Sequence, residues 1–132
     1  MNTCTQISIF LENRPGALER VATALGEQDI NILGFSVSDA IDHAVVRMVV
    51  NDANKAAHLL GEAGVLVLEG EVIELHLDNT PGRLASLAGA LQEAGINLNY
   101  AYGSTGGTGE HVIFINTTDH ARTREVLAAL DG

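Results

Sequence analysis

The chain has one cysteine, Cys4, so an internal disulfide is excluded. Lys and Arg number 7 against 17 Asp and Glu, giving a formal charge of -10. A chain so poor in cations cannot displace the counterions of a phosphate backbone, which sets aside nucleic acid and anionic membrane surfaces as partners. No apolar run is long enough to span a bilayer, and the opening MNTCTQISIF has neither the basic nor the apolar region of a signal peptide. These absences predict a cytoplasmic protein. Tryptophan is missing, and three Phe and two Tyr without a basic surface do not make an RNA-stacking sheet. Proline occurs only twice, at Pro15 and Pro81. Both prolines sit in the same setting.

Residues 13–31 read NRPGALERVATALGEQDIN and residues 79–97 read NTPGRLASLAGALQEAGIN, identical at 10 of the 19 positions. An internal repeat means that one supersecondary unit is used twice. Half of a 132-residue chain is near the lower size at which a domain buries enough surface to fold alone, so each copy is expected to need a neighbour. Upstream of each copy the apolar residues alternate: Ile7, Ile9 and Leu11 in the first, Ile73, Leu75 and Leu77 in the second. Alternation with period two is a strand with one buried face. Downstream the period changes. Leu18, Val21, Ala22 and Leu25, and likewise Leu84, Leu87, Ala88 and Leu91, follow the i, i+3, i+4, i+7 spacing of a helix. Pro15 and Pro81 suit the first turn of that helix, where a missing N–H loses nothing.

Two strands are expected next in each copy, at residues 30–38 and 44–50 and again at 96–102 and 111–116. The turns between them are DAIDH and the glycine-rich STGGTGE. A second helix follows each pair, capped by Asn51 or Asp52 in one copy and by Thr118 or Asp119 in the other. The segment VLVLE at residues 65–69 closes the first unit as a strand. The fold class predicted is α+β: two ferredoxin-like βαββαβ units in tandem, residues 1–69 and 70–132, with helices on one face of antiparallel sheets. The second unit lacks its last strand, because the sequence stops after the final helix. A hairpin turning at Glu69-Gly70-Glu71 is the expected way to protect the edge so exposed.

Strand, Asn-x-Pro-Gly-x-Leu, apolar helix and Ile-Asn together resemble the ACT domain, and the resemblance covers the whole chain as two copies. It implies a non-catalytic regulatory module that binds a small amino acid at an ACT interface, with no cofactor. On the family pattern, Asn13, Gly16, Ala17, Leu18, Asn31 and Ile32 serve one site, and Arg14 beside them is a candidate to supplement carboxylate binding. Asn79, Gly82, Arg83, Leu84, Asn97 and Leu98 serve the other. The chemistry is consistent with that. A helix N-terminus presents free N–H groups and a positive dipole end to a carboxylate, and an asparagine amide both donates and accepts. The same residues are also ordinary turn formers, and Arg14 and Arg83 are also ordinary surface arginines. A homodimer and a regulated enzyme in trans are the partners implied. The competing reading is a ligand-free assembly module for a metabolic enzyme.

Other signals are weaker. YGSTGGTGE lacks the Gly-Lys-Ser/Thr of a phosphate loop and lies between strands. The five histidines have no pair three to five residues apart, so no metal site is predicted. Whether His76 and His111 share a sheet face depends on register. No nucleophile, base and orienting group stand together, and no enzyme is predicted.

Overall fold

A computed structural model of the chain describes residues 2–39, 42–78, 80–105 and 110–130. Its elements run β1 (Asn2–Glu12), α1 (Ala17–Glu27), β2 (Ile32–Asp39), β3 (His43–Val50), α2 (Ala53–Glu62), β4 (Leu66–Asp78), α3 (Arg83–Glu93), β5 (Leu98–Thr105), β6 (Glu110–Thr117) and α4 (His120–Ala128). The α+β order expected from the repeat is present in both copies. Asn79 and most of the two predicted turns, Ala40, Ile41 and residues 106–109, lie outside the described residues.

The chain gathers into two compact units, Thr5–Glu71 and Met1–Cys4 with Val72–Gly132. In the first, the strand order is β2-β3-β1-β4, with β3 antiparallel to both neighbours. Ile7, Ile9 and Leu11 stand opposite Met48, Val46 and Ala44, and cross-strand partners share a face. Val21 and Leu25 of α1 and Ala56 and Leu60 of α2 close over that face, leaving Ile7, Ile9 and Leu25 fully buried. Each such side chain contributes about 1.5–3 kcal/mol by leaving water. The other face is not wholly polar, since the cross-strand partners Gln6 and Val49 are also buried.

In the second unit β4, β6 and β5 follow in that order, all antiparallel. Ile73, Leu75 and Leu77 pack with Leu87 and Leu91 of α3 and Leu127 of α4. Tyr102 and Phe114, register partners on the other face, bring their ring centroids to 5.4 Å. Leu77 pairs with His111 and His76 with Val112, so the two histidines lie on opposite faces.

One expectation fails. Residues 69–71 do not turn, because β4 runs unbroken from Leu66 to Asp78. A two-residue hairpin needs a residue at positive φ, and Gly70 is not among the positive-φ glycines. Flanked by apolar strand residues, this glycine stays extended. No strand follows α4 among the described residues; the neighbour of β4 on the side away from β6 is β1, whose residues 2–4 cluster with this unit. Arg124 of α4 donates to the Thr3 hydroxyl at 2.6 Å. Burial, and secondarily the charge of Glu74, push the Cys4 thiol above its ordinary pKa.

Candidate functional site

The two Asn-x-Pro-Gly-x-Leu loops fold alike. The Ala17 N–H reaches the Arg14 carbonyl at 3.4 Å and the Arg83 N–H reaches the Thr80 carbonyl at 3.3 Å, each closing a four-residue turn. Gly16 at φ 88°, ψ -12° and Gly82 at φ 89°, ψ -7° occupy the third turn position. Proline second and a positive-φ glycine third make a type II turn. Pro15 and Pro81 are therefore turn residues just ahead of the helix rather than members of its first turn. The turn's last residue, Ala17 or Arg83, is the first helical one.

This construction leaves the helix openings bare. Gly16 and Gly82 are the N-caps and carry no side chain to cap with; the first intrahelical bonds are Arg20 N–H to Gly16 and Ser86 N–H to Gly82. The N–H groups of Leu18 and Glu19, and of Leu84 and Ala85, point out of the helix without a capping side chain. The other two helices are closed. Asp52 accepts from the Lys55 N–H at 3.1 Å and Asp119 from the Arg122 N–H at 2.9 Å. Among the described residues, only the motif helices keep an open positive end.

The asparagines behave differently from one another. Asn13 is exposed at the end of β1. The Asn31 backbone is held by Asn51: its N–H donates to Asn51 Oδ1 at 3.0 Å, and its carbonyl accepts the Asn51 N–H at 3.1 Å. Asn97 is held equivalently by Thr118, at 3.1 and 3.0 Å. The Asn97 amide also donates to Asn99 Oδ1 at 3.1 Å, and Asn99 in turn to Asn116 Oδ1 at 2.9 Å. Register fixes where these residues lie. Glu12 faces His43 while Ile32 faces Val50, so Asn13 and Asn31 lie beyond opposite ends of β3, roughly 30 Å apart along the strand at about 3.3 Å per residue. Ile32 goes with Asn31. Leu98, opposite Thr117, likewise lies with Asn97 at the end of β6 remote from the second loop. Within one unit the loop and the Ile-Asn segment do not meet.

Each loop borders a cavity. In the first unit about 350 Å³ is lined by Leu11, Glu12, Arg14, Ala17 and Arg20 on one side and Leu60, Ala63, Gly64 and Val65 on the other. Arg14 is paired through Nε with Glu12 at the mouth, a solvent-exposed bond. In the second unit about 260 Å³ lies among Leu77, Thr80, Gly82, Arg83, Leu84, Ala85, His111 and Ile113. Arg83 Nε and His111 Nε2 are each shielded from water and have no hydrogen-bond partner among the described residues. A buried donor left unpaired costs about 1–3 kcal/mol. Among the described residues no group of three His, Cys, Asp or Glu could hold a metal ion, and no helix is long and apolar enough to cross a membrane.

The family model of the ACT domain pair matches residues 2–131. The chain belongs to that family. A solved structure of a protein from Bacteroides thetaiotaomicron is similar at 28% identity and a TM-score of 0.93, covering 98% of this chain and 89% of the other. The ligand-free regulatory subunit of aspartate kinase from Thermus thermophilus shares the fold at 16% identity and a TM-score of 0.74, over 99% of this chain and 96% of that one. The corresponding subunit from Thermus flavus does so at 20% and 0.66, over 98% and 94%. No curated protein matches the chain.

Within this ACT pair the copies diverge at the cavity wall. The turn's last residue is Ala17 in one ACT unit and Arg83 in the other, and the strand residue facing Leu11 or Leu77 is Ala44 in one and His111 in the other. Arg83 was legible from the repeat. His111 and Arg20 were not: His111 enters through strand pairing, and Arg20 through the helix face it shares with Ala17 and Ala24.

Proposed function

We propose that this ACT pair is a non-catalytic amino-acid sensor, with the ligand carboxylate received at the open ends of α1 and α3 and its binding coupled to an oligomer or to an enzyme in trans. The observation carrying this reading is the contrast between helices of one chain: α1 and α3 open through a type II Pro-Gly turn with no cap, while α2 and α4 are capped by aspartate. Bare N–H groups and the helix dipole favour an anion by electrostatics alone. Asn13 and Asn79 stand next to those ends in sequence, with an amide oxygen for an ammonium group. Because Asn31 and Asn97 lie far from their own unit's loop, we assign them to the loop of a second copy in a homodimer, which makes ligand and assembly interdependent. Coupling is then linkage: a ligand that touches two copies favours their association by its differential affinity.

A second reading is favoured by a different feature. Leu33, Phe35 and Val37 stand 50–56% exposed on β2, an edge strand of its unit. An apolar edge suits assembly without any ligand.

A thermal-shift screen against the twenty amino acids at millimolar concentration separates the two. Ligand at 100 times Kd adds about 2.7 kcal/mol and moves the melting temperature by several degrees. Selective stabilisation that Asn13→Ala weakens is the expected result. A flat screen across all twenty sinks the sensor and leaves the assembly module.

A further inference from the structure

We propose that a second copy of this chain docks edge to edge, strand β2 of one copy pairing antiparallel with strand β5 of the other. This rests on the self-association in the reading above and names the two edges that meet.

The strand order begins with β2 and ends with β5, so among the described residues each presents a row of backbone N–H and C=O groups with no strand beside it. Edges of this kind are ordinarily guarded by a charge or a proline, and neither residues 32–38 nor residues 98–105 contain one. Both strands are eight residues long. Both carry an irregularity at the same place, between Ile32 and Gly34 in β2 and between Leu98 and Tyr100 in β5. They differ in bulk. Phe35 and Val37 pair with Met48 and Val46 of the core, so they share the helix-covered face, yet with Leu33 they remain 50–56% exposed. At the corresponding positions of β5 stand Ala101 and Gly103, the partners of Ile115 and Ile113, with Asn99 ahead of them. These three are exposed as well. Gly103 has no room to be larger, because a Cβ there would lie 2.5 Å from the Val112 carbonyl oxygen. One edge ends in large apolar side chains and the other in a hollow.

Size selects which edges meet. Residues opposite each other in an antiparallel pair have Cα atoms roughly 4.5–5.5 Å apart, so two bulky rows crowd and two small rows leave a gap. A bulky row against a hollow one fills the space at ordinary packing density. Pairing β2 with β2 would also leave β5 uncovered in both copies, whereas unlike edges cover each other. Phe35 opposite Ala101 puts Leu33 opposite Gly103 and Val37 opposite Asn99. In that register Asn31 comes level with Thr105, whose partner His111 also pairs with Leu77, just ahead of the second Pro-Gly loop. Asn97 comes level with Asp39, whose partner Ala44 also pairs with Leu11, just ahead of the first loop. The register chosen by side-chain size therefore carries each Ile-Asn segment to the loop end of the opposing edge, which is where the assignment of Asn31 and Asn97 to a second copy requires them.

The test is analytical ultracentrifugation of the full chain at micromolar concentration, with circular dichroism to follow folding. Wild type is expected to sediment as two or more copies. Phe35→Glu and Ala101→Glu are each expected to give a folded monomer, since both positions are exposed and neither belongs to a core cluster. Phe35→Lys combined with Ala101→Glu in one chain is expected to recover association, because the opposite charges meet only where β2 touches β5. A monomeric wild type overturns the docking. So does association that Phe35→Glu abolishes and Ala101→Glu leaves intact, which is the signature of β2 on β2. A double variant that associates no better than the single ones overturns it too. The sensor reading fails separately: an assembly with the expected mutational pattern that no amino acid stabilises keeps this interface and sinks the sensor. Selective stabilisation by an amino acid, together with association indifferent to Ala101→Glu, keeps the sensor and overturns this interface.

Discussion

Asp29 has a backbone φ of 57°, the one described non-glycine residue on the left-handed side. It closes α1 as the residue after the C-cap: its own N–H reaches the Gly26 carbonyl and the Ile30 N–H reaches the Leu25 carbonyl, at 3.1 and 3.0 Å. That is a Schellman ending, which favours glycine because a Cβ is strained at positive φ. Gly64 after α2 and Gly95 after α3 do the same work at φ 83° and 71°. Asp29→Gly is accordingly expected to stabilise the protein by about 0.5–1 kcal/mol, relief of strain outweighing the entropy of the freer unfolded chain. Urea denaturation should show a higher midpoint at unchanged slope; a lower midpoint would mean that the carboxylate makes a stabilising contact. The repeat already aligned Asp29 with Gly95, so the position was readable from the chain alone. The roles of the asparagines were less so. Amide chemistry is the same for Asn13, Asn31 and Asn97, and only tertiary pairing shows that Asn31 and Asn97 are tied by backbone bonds to Asn51 and Thr118.

Among the elements, the helices were legible nearly to the residue and the β4 connection was not. Apolar spacing placed α1 and α3, and short polar residues after a strand placed the caps of α2 and α4. Each cap had two candidates in sequence, and the nearer one to the helix holds the bond: Asp52 and Asp119 accept from the third residue on. Losing either side-chain acceptor leaves an orphan N–H, so Asp52→Ala and Asp119→Ala should each cost about 1 kcal/mol. Gly16→Ala removes no cap at all. A Cβ at Gly16 meets nothing within 4 Å, so its cost is backbone strain alone, about 1 kcal/mol, and it falls on the open end of α1. Ligand stabilisation separates the two kinds of change: the aspartate variants should keep it and Gly16→Ala should lose part of it. Equal loss in all three would place the effect in general stability. The misreading at residues 69–71 has a simple origin. Glycine between two glutamates looks like a turn by composition, but a hairpin needs a positive φ that Gly70 does not adopt, and apolar residues on both sides keep the strand straight.

At the scale of the whole chain, the repeat announces two units but not how the second finds its fourth strand. The opening residues Asn2, Thr3 and Cys4 have no alternation to mark them as strand, and their role appears only in space. They extend β1 and cluster with the unit of residues 72–132, where Thr3 accepts from Arg124 and Cys4 lies near enough to Glu74 for its charge to raise the thiol pKa. Strands β1 and β4 therefore each contribute to both compact units, and the two halves of the sequence are not the two halves of the fold. Removing residues 1–4 is expected to weaken the later unit, although the cut is made in the earlier sequence. Its β4 would lose the strand on the side away from β6, and several backbone groups would be left to water. Native-state hydrogen exchange on the truncated chain should show faster exchange in residues 72–78 and α4, while β3 and α2, whose partners are intact, keep their protection. Uniform acceleration through both units would instead mean that they unfold only together. Acceleration confined to residues 5–12 would show that the opening segment serves the first unit.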